Sequence, residues 1–149
     1  MGYGRRYYCE KCFYDFEEYG GIGYAYPMVV NDAKDEGKEG KLGPEVKAFL
    51  DLYPDGVLNC EMVSLVCKEC GAMKNDCKYS MYKPKEGIKK FPVCCLPHEL
   101  SQYYSFYKRY PHKCNECGGD MKMLAANAMP KCPRCGEVLK VGVSEICWD

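Results

Sequence analysis

Four Cys-x-x-Cys pairs limit what this chain can fold into more than any other feature: Cys9/Cys12, Cys67/Cys70, Cys114/Cys117 and Cys132/Cys135. Such a turn offers two sulfurs to one ion, and structural zinc takes four ligands tetrahedrally. Gly71, Gly118 and Gly136 follow three of the pairs. A glycine there permits a backbone turn that strains other residues and lets amides approach the sulfurs. Phe13 stands in that place after the first pair. A disulfide scaffold is the competing use of cysteine, and it fits poorly. The cysteines number 13, which is odd, and the run Met1 to Cys9 lacks the apolar stretch of a signal peptide. Zinc on thiolates implies a reducing compartment, so a cytoplasmic location is expected.

Metal matters here because an ordinary core would be thin. Hydrophobic residues make up 47% of the 149, but 13 Cys and 14 Tyr inflate that figure. A chain of this length makes one compact domain or two very small ones, and small folds lean on metals. The longest uncharged run, Tyr19 to Asn31, is too short and glycine-rich to span a bilayer. Arg6 stands where a myristoylation signal needs Ser or Thr. Bases and acids balance at 21 each. Eight thiolates and two zinc ions would bring the loaded protein to about minus four. Glu10 to Met62 carries five lysines against twelve acids, and Val63 to Lys113 ten bases against four acids. Opposed segments of this kind suit a charged partner or self-association.

Along the chain, Tyr3 to Tyr8 reads as a strand entering the first knuckle and Phe13 to Phe16 as the strand leaving it. Gly20, Gly21 and Gly23 open a loop, with a short extended piece at Met28 to Val30. Asn31 to Lys41, charged and glycine-punctuated, reads as a solvated loop. Pro44 to Tyr53 predicts a helix, since Val46, Phe49, Leu50 and Tyr53 recur on one face. After the turn Pro54-Asp-Gly56, Val57 to Val66 reads as one strand into the second knuckle and Asp76 to Tyr82 as the strand out. Lys83 to Lys90 reads as a linker, and Leu100 to Tyr110 as a second helix. Val138 to Val141 and Glu145 to Trp148 close the chain. The expected fold class is a small metal-stabilised α+β protein: two zinc ribbons of short antiparallel strands, with one helix inserted in the first and another connecting them. The expected domains are residues 1–82, a linker and helix at 83–112, and residues 113–149.

The order knuckle–insert–knuckle, twice over, predicts sequential ligand sets. Cys114, Cys117, Cys132 and Cys135 would form one site, with fourteen residues between the inner pair. Cys9, Cys12, Cys67 and Cys70 would form the other across 54 residues, a separation tolerated because closure cost grows only logarithmically. The rival is a crossed arrangement joining Cys67 and Cys70 to Cys114 and Cys117. The run Cys132-Pro-Arg-Cys135-Gly136, followed by Val138 and Lys140, resembles the second knuckle of the zinc-ribbon superfamily. With its long first insert, the chain resembles uncharacterised bacterial double zinc-ribbon proteins, most specifically over Lys113 to Lys140. The resemblance implies a fold and a metal, two zinc ions per chain. It implies no single activity, because the superfamily includes parts of transcription, ribosomal and adaptor proteins.

Cys60, Cys77, Cys94, Cys95 and Cys147 read as buried free thiols. A third site could be drawn from Cys94, Cys95, His98 and Cys77, but adjacent cysteines in a strand point to opposite faces. His112 reads as a packing or hydrogen-bonding residue. An enzyme is not expected: four-thiolate sites are closed, the two histidines stand in no acid/base constellation, and Gly20 to Gly23 lacks the context of a phosphate loop. No small-molecule substrate and no membrane is predicted. Iron in place of zinc would give a rubredoxin-like electron carrier. The expected role is a binding or adaptor module that recruits a protein by strand addition at ribbon edges. The alternative is nucleic-acid binding through Lys89, Lys90, Tyr104, Lys108 and Arg109. Against that, Tyr103, Phe106, Tyr107 and Tyr110 share one face of the expected helix and would pack on a ribbon.

Overall fold

In the computed structural model, which describes residues 2–148 and side chains as far as Gly142, the chain folds into two compact units. The first gathers Met1–Gly23, Met62–Asp76 and Pro111–Asp149; the second gathers Tyr24–Glu61 and Cys77–Tyr110. This division differs from the boundaries drawn at residues 82 and 112. All four knuckles fall in the first unit, and the second is built from two insertions.

The first unit is a mostly antiparallel sheet. Strand β1 (Gly2–Tyr8) pairs with β2 (Asp15–Gly21) along its whole length, with Gly2 opposite Gly21 and Tyr8 opposite Asp15. The β2 strand therefore runs through Gly20 and Gly21, where a loop was expected. Gly20 lies opposite Tyr3, and a Cβ there would stand 2.3 Å from Tyr3 Cζ, so the glycine makes room for the ring. After β3, which belongs to the second unit (Val57–Asn59), come β4 (Met62–Cys67) and β5 (Met73–Cys77). The sheet order is β5-β4-β2-β1-β9, where β9 is Lys140–Trp148 and β8, Met121–Met123, pairs with β4. The expected segments 138–141 and 145–148 thus belong largely to one strand. Tyr7 and Leu139 are buried completely or nearly so, and Phe16, Met73 and Leu124 pack around them.

The second unit holds α1 (Tyr26–Lys38), α2 (Pro44–Leu52) and a three-stranded sheet, β3-β6-β7, with β6 at Ser80–Pro84 and β7 at Tyr104–Lys108. The α2 helix follows its sequence signature, with Val46, Phe49 and Leu50 buried. The α1 helix occupies the stretch read as an extended piece and a solvated loop. Its buried face is Tyr26, Ala33 and Gly37, a helical spacing hidden by one residue too small to register as apolar. Gly37 is required by close packing, because a Cβ there would lie 2.8 Å from both Leu50 Cδ1 and Val46 Cγ1.

The strand expected over residues 57–66 is two strands in two sheets. The one expected over 76–82 also breaks, at Tyr79, whose φ is +52°. The second expected helix is cut to α3, Leu100–Tyr103, after a single 3-10 turn at Pro97–Glu99. From Tyr104 the chain is strand, because aromatic residues suit a pleated surface and β6 offers a partner: Tyr82 pairs with Phe106 and Pro84 with Tyr104. The aromatic face expected to pack on a ribbon therefore does not exist. Tyr104 is buried with Leu100 and Cys95 inside the second unit, whereas Phe106 and Tyr107 are 53% and 42% exposed. Lys83 to Lys90 is likewise part of the second unit and no linker.

Gly37→Ala tests the α1–α2 contact. Helix propensity alone would favour alanine by about 1 kcal/mol, but overpacking a filled core costs about 1–3 kcal/mol. Val46 and Leu50 are 0% and 2% exposed and have no free space to yield. Urea unfolding of the variant should show a net loss of stability; a gain would show that the helices are loosely packed.

Candidate metal centres

One backbone turn is built four times. In each knuckle the N–H of the first cysteine donates to the carbonyl five residues on: Cys9 to Tyr14 at 2.8 Å, Cys67 to Ala72 at 2.8 Å, Cys114 to Gly119 at 2.8 Å and Cys132 to Glu137 at 2.7 Å. The N–H four residues on donates back to the first cysteine's carbonyl, from Phe13, Gly71, Gly118 and Gly136. That position is left-handed every time, with φ of +62° at Phe13, +76° at Gly71, +74° at Gly118 and +81° at Gly136. Glycine takes this conformation freely, whereas other residues lose about 1–2 kcal/mol. The first knuckle thus has the same geometry as the others and bears a strain they avoid.

The knuckles do not meet in chain order. Cys9, Cys12, Cys132 and Cys135 form one cluster and Cys67, Cys70, Cys114 and Cys117 the other, with all four sulfurs of each within 4.8 Å of one another. The sequential pairing expected from spacing is therefore replaced by a nested one, the outer knuckles together and the inner knuckles together. Strand pairing is the cause. The first knuckle is the turn of the β1–β2 hairpin, and β9 starts just after the fourth; Tyr8 opposite Lys140 sets the two side by side. The second knuckle is the turn between β4 and β5, and β8 follows the third; Cys67 opposite Met121 sets those two together. The Lys68 N–H extends that ladder to the Asp120 carbonyl at 2.9 Å.

The sulfur geometry fits a tetrahedral ion. Cross-knuckle separations are 3.5 Å for Cys9–Cys135, 3.4 Å for Cys12–Cys132, 3.4 Å for Cys67–Cys117 and 3.6 Å for Cys70–Cys114. Zinc–sulfur bonds of about 2.3 Å place tetrahedral sulfurs about 3.8 Å apart, so little adjustment is needed. Amides point at the sulfurs: Glu69 and Cys70 N–H at Cys67 Sγ, Glu116 N–H at Cys114 Sγ, and Gly119 N–H at Cys117 Sγ, all at 3.4–3.5 Å. The Cys70 amide, with that of Glu69, pulls the Cys67 thiol down to about 6. At Cys132 burial pushes upward but the Cys135 and Arg134 amides win, leaving it at about 7. A side chain at Gly119 would crowd the cluster, since a Cβ would lie 3.2 Å from both Cys67 Sγ and Cys117 Sγ and 2.7 Å from Glu69 Cγ.

The two clusters differ in setting. The outer one is part of the core, with Cys9 and Cys132 buried beside Tyr7 and Leu139. In the inner one Cys70 and Cys117 are exposed. His112 is buried, stands 3.6 Å from Asp76 and belongs to neither cluster. No third cluster occurs among the described residues. Cys60, Cys77 and Cys95 are buried in the second unit and Cys94 is partly buried; the side chain of Cys147 lies outside the described residues. Of the residues singled out for nucleic acid, Tyr104 is buried against the Phe91 ring at 5.2 Å and Lys108 pairs with Glu45 at 3.0 Å; Lys89, Lys90 and Arg109 are exposed. Compared with protein-family models, curated proteins and solved structures, the chain matches none.

Two predictions follow from the nesting and the strain. If each cluster holds one ion, Cys9→Ser and Cys132→Ser remove the same ion. The double variant should then retain one metal per chain by elemental analysis, while Cys9→Ser with Cys67→Ser should retain none. Sequential pairing would reverse the two doubles. Phe13 is 85% exposed, so Phe13→Gly removes strain and little packing. It should raise the stability of the metal-loaded protein by about 1 kcal/mol in urea; an unchanged midpoint would mean that the turn is not strained.

Proposed function

We propose that the protein is a non-catalytic binding module whose first unit is held together by two structural zinc ions. The observation that carries this reading is the ligand composition: among the described residues, each cluster is made of four thiols. Four thiolates close the coordination sphere and leave no position for water or substrate, which suits structure rather than hydrolysis. Zinc is favoured over iron because it takes tetrahedral sulfur without redox demands, and four-cysteine sites in small folds are a common home for structural zinc. Ion binding supplies folding free energy, on the order of 10 kcal/mol per structural site. The first unit needs it, since few large aliphatic side chains are buried there. Among the described residues no helix is long and apolar enough to cross a membrane.

As an adaptor, the module would offer strand edges to a partner. The β7 strand ends its sheet, with β6 on one side, and carries the exposed Phe106 and Tyr107. An edge of this kind recruits an extended chain through unpaired amides and carbonyls.

Protein from a zinc-replete source should contain two zinc ions per chain. Protons compete with zinc for the thiolates, so acidification with a chelator should release both ions and melt the first unit's sheet. Amide exchange read along β1, β4 and β9 would check this. Red colour with visible absorption would replace zinc by iron, and a sheet that survives metal removal would overturn the structural role.

A further inference from the structure

An aromatic ladder climbs from the core of the second unit to its surface. Phe49, 2% exposed, stacks on Tyr107 with centroids 5.1 Å apart and rings at 30°. Tyr107 meets Tyr53 edge-on at 5.5 Å, and Tyr53 also touches Phe49 at 5.7 Å. Tyr53 forms one wall of a cleft of about 470 Å³ completed by Lys83, Pro84, Lys85, Glu86 and Ser105. Lys83 Nζ lies 5.9 Å from the Tyr53 centroid, and Lys85 Nζ donates to the Ser101 carbonyl at 2.5 Å. The Lys83 ammonium therefore lies over the Tyr53 ring, while Lys85, which also lines the cleft, has its ammonium at the Ser101 carbonyl. None of this was legible from the expected helix over residues 100–110, which put the stacking residue at Tyr104.

We propose that this cleft binds a nucleotide unit of a single-stranded nucleic acid, the base against Tyr53 and the phosphate against Lys83 and Lys85. The proposal rests on the binding-module reading and names the ligand class. Three observations carry it. The cleft is open to solvent and, at about 470 Å³, has room for a single nucleotide unit. The ring is held by two aromatic neighbours, so little freedom is lost when a base stacks on it, and stacking tolerates any base. The charge is of the right sign on the wall that residues 77–110 supply, with seven bases against two acids, whereas residues 24–61 of the same unit, which supply Tyr53, carry four bases against eight acids. Exposed Lys89 and Lys90, which follow the cleft residue Glu86 closely in sequence, add positive charge, which favours a strand with further phosphates over a free nucleotide. Glu86 repels a phosphate from its own end of the cleft and would accept a hydrogen bond from a base N–H, the N3–H in thymine or uracil.

The test uses the full, zinc-loaded chain and a fluorescently labelled twelve-nucleotide oligothymidylate or oligouridylate, read by anisotropy across a salt series. The wild type should bind at low salt and weaken steeply as salt rises. Tyr53→Leu should weaken binding by roughly 5- to 100-fold, the range for removing one stacking ring. Lys83→Ala with Lys85→Ala should weaken it and flatten the logarithmic salt slope by about 1.4, two phosphate contacts' worth on a single strand. Zinc content and melting temperature are measured on every variant. If Tyr53→Leu fails to fold, the lysine pair still decides, since both residues lie at the surface of the cleft. Unchanged affinity and slope in the folded lysine variant would overturn the proposal, as would unchanged affinity in a folded Tyr53→Leu. Uridine monophosphate binding as tightly as the oligomer would overturn the assignment to a strand. A wild type that holds two zinc ions, binds no oligonucleotide and instead captures an extended acidic peptide would also overturn it, leaving the structural-zinc reading intact.

Discussion

Antiparallel pairing of strands distant in sequence governs the first unit, and the sulfur clusters depend on it. The β1 strand has two neighbours, β2 from its own hairpin and β9 from the far end of the chain. Because β9 begins five residues after Cys135, the Tyr8–Lys140 pair leaves the first and fourth knuckles no option but to face each other. The same logic at Cys67 and Met121 joins the second and third. Ladder and metal would reinforce one another: the ladder fixes which knuckles meet, and an ion would lock the ladder's open end. A nested order also means that each proposed ion ties segments far apart in the chain, where a crosslink restricts the unfolded state most.

The burial pattern explains why such ties are needed. Tyr7, Leu65 and Leu139 are the large side chains of the first unit with at most 1% exposure, and the remaining core of the outer cluster is largely cysteine, partly buried aromatics and methionine. Burying a full-sized apolar side chain contributes about 1.5–3 kcal/mol, so a handful of them does not offset the entropy of ordering three separate chain segments. The second unit has a more ordinary core, with Val46, Phe49, Leu50, Leu58 and Met81 all at 2% exposure or less. Its stability rests on helix-on-sheet packing, and its four described cysteines serve as small apolar filler or partly buried surface. The two units thus differ in what holds them: four-cysteine clusters fit to take a metal in one, and in the other an apolar core that presents aromatic and basic side chains.

The strained Phe13 is instructive because it separates geometry from composition. Three knuckles use glycine where the backbone turns left-handed, and the first makes the same turn with a bulky, exposed ring. The hydrogen-bond pattern, with the amide of residue 13 donating to the Cys9 carbonyl, is kept in full. The knuckle is therefore specified by its two cysteines and its hairpin, and glycine relieves strain without defining the turn.

The sequence by itself determined the local chemistry. Four C-x-x-C turns, the eight sulfurs they present and the α2 helix could all be read from spacing, because each depends on contacts within a few residues. The antiparallel strands flanking the knuckles were legible for the same reason, since a tight turn between extended runs makes a hairpin. What only the tertiary structure decided was partnership. Which knuckle meets which depends on β1–β9 and β4–β8 pairing across more than fifty residues, and no local periodicity encodes a partner strand. The same holds for α1, whose buried face includes a glycine that reads as a breaker until Val46 and Leu50 are seen against it. It holds again for Tyr104 to Lys108, where aromatic spacing fits a helix equally well and only the presence of β6 as a hydrogen-bonding neighbour selects the strand.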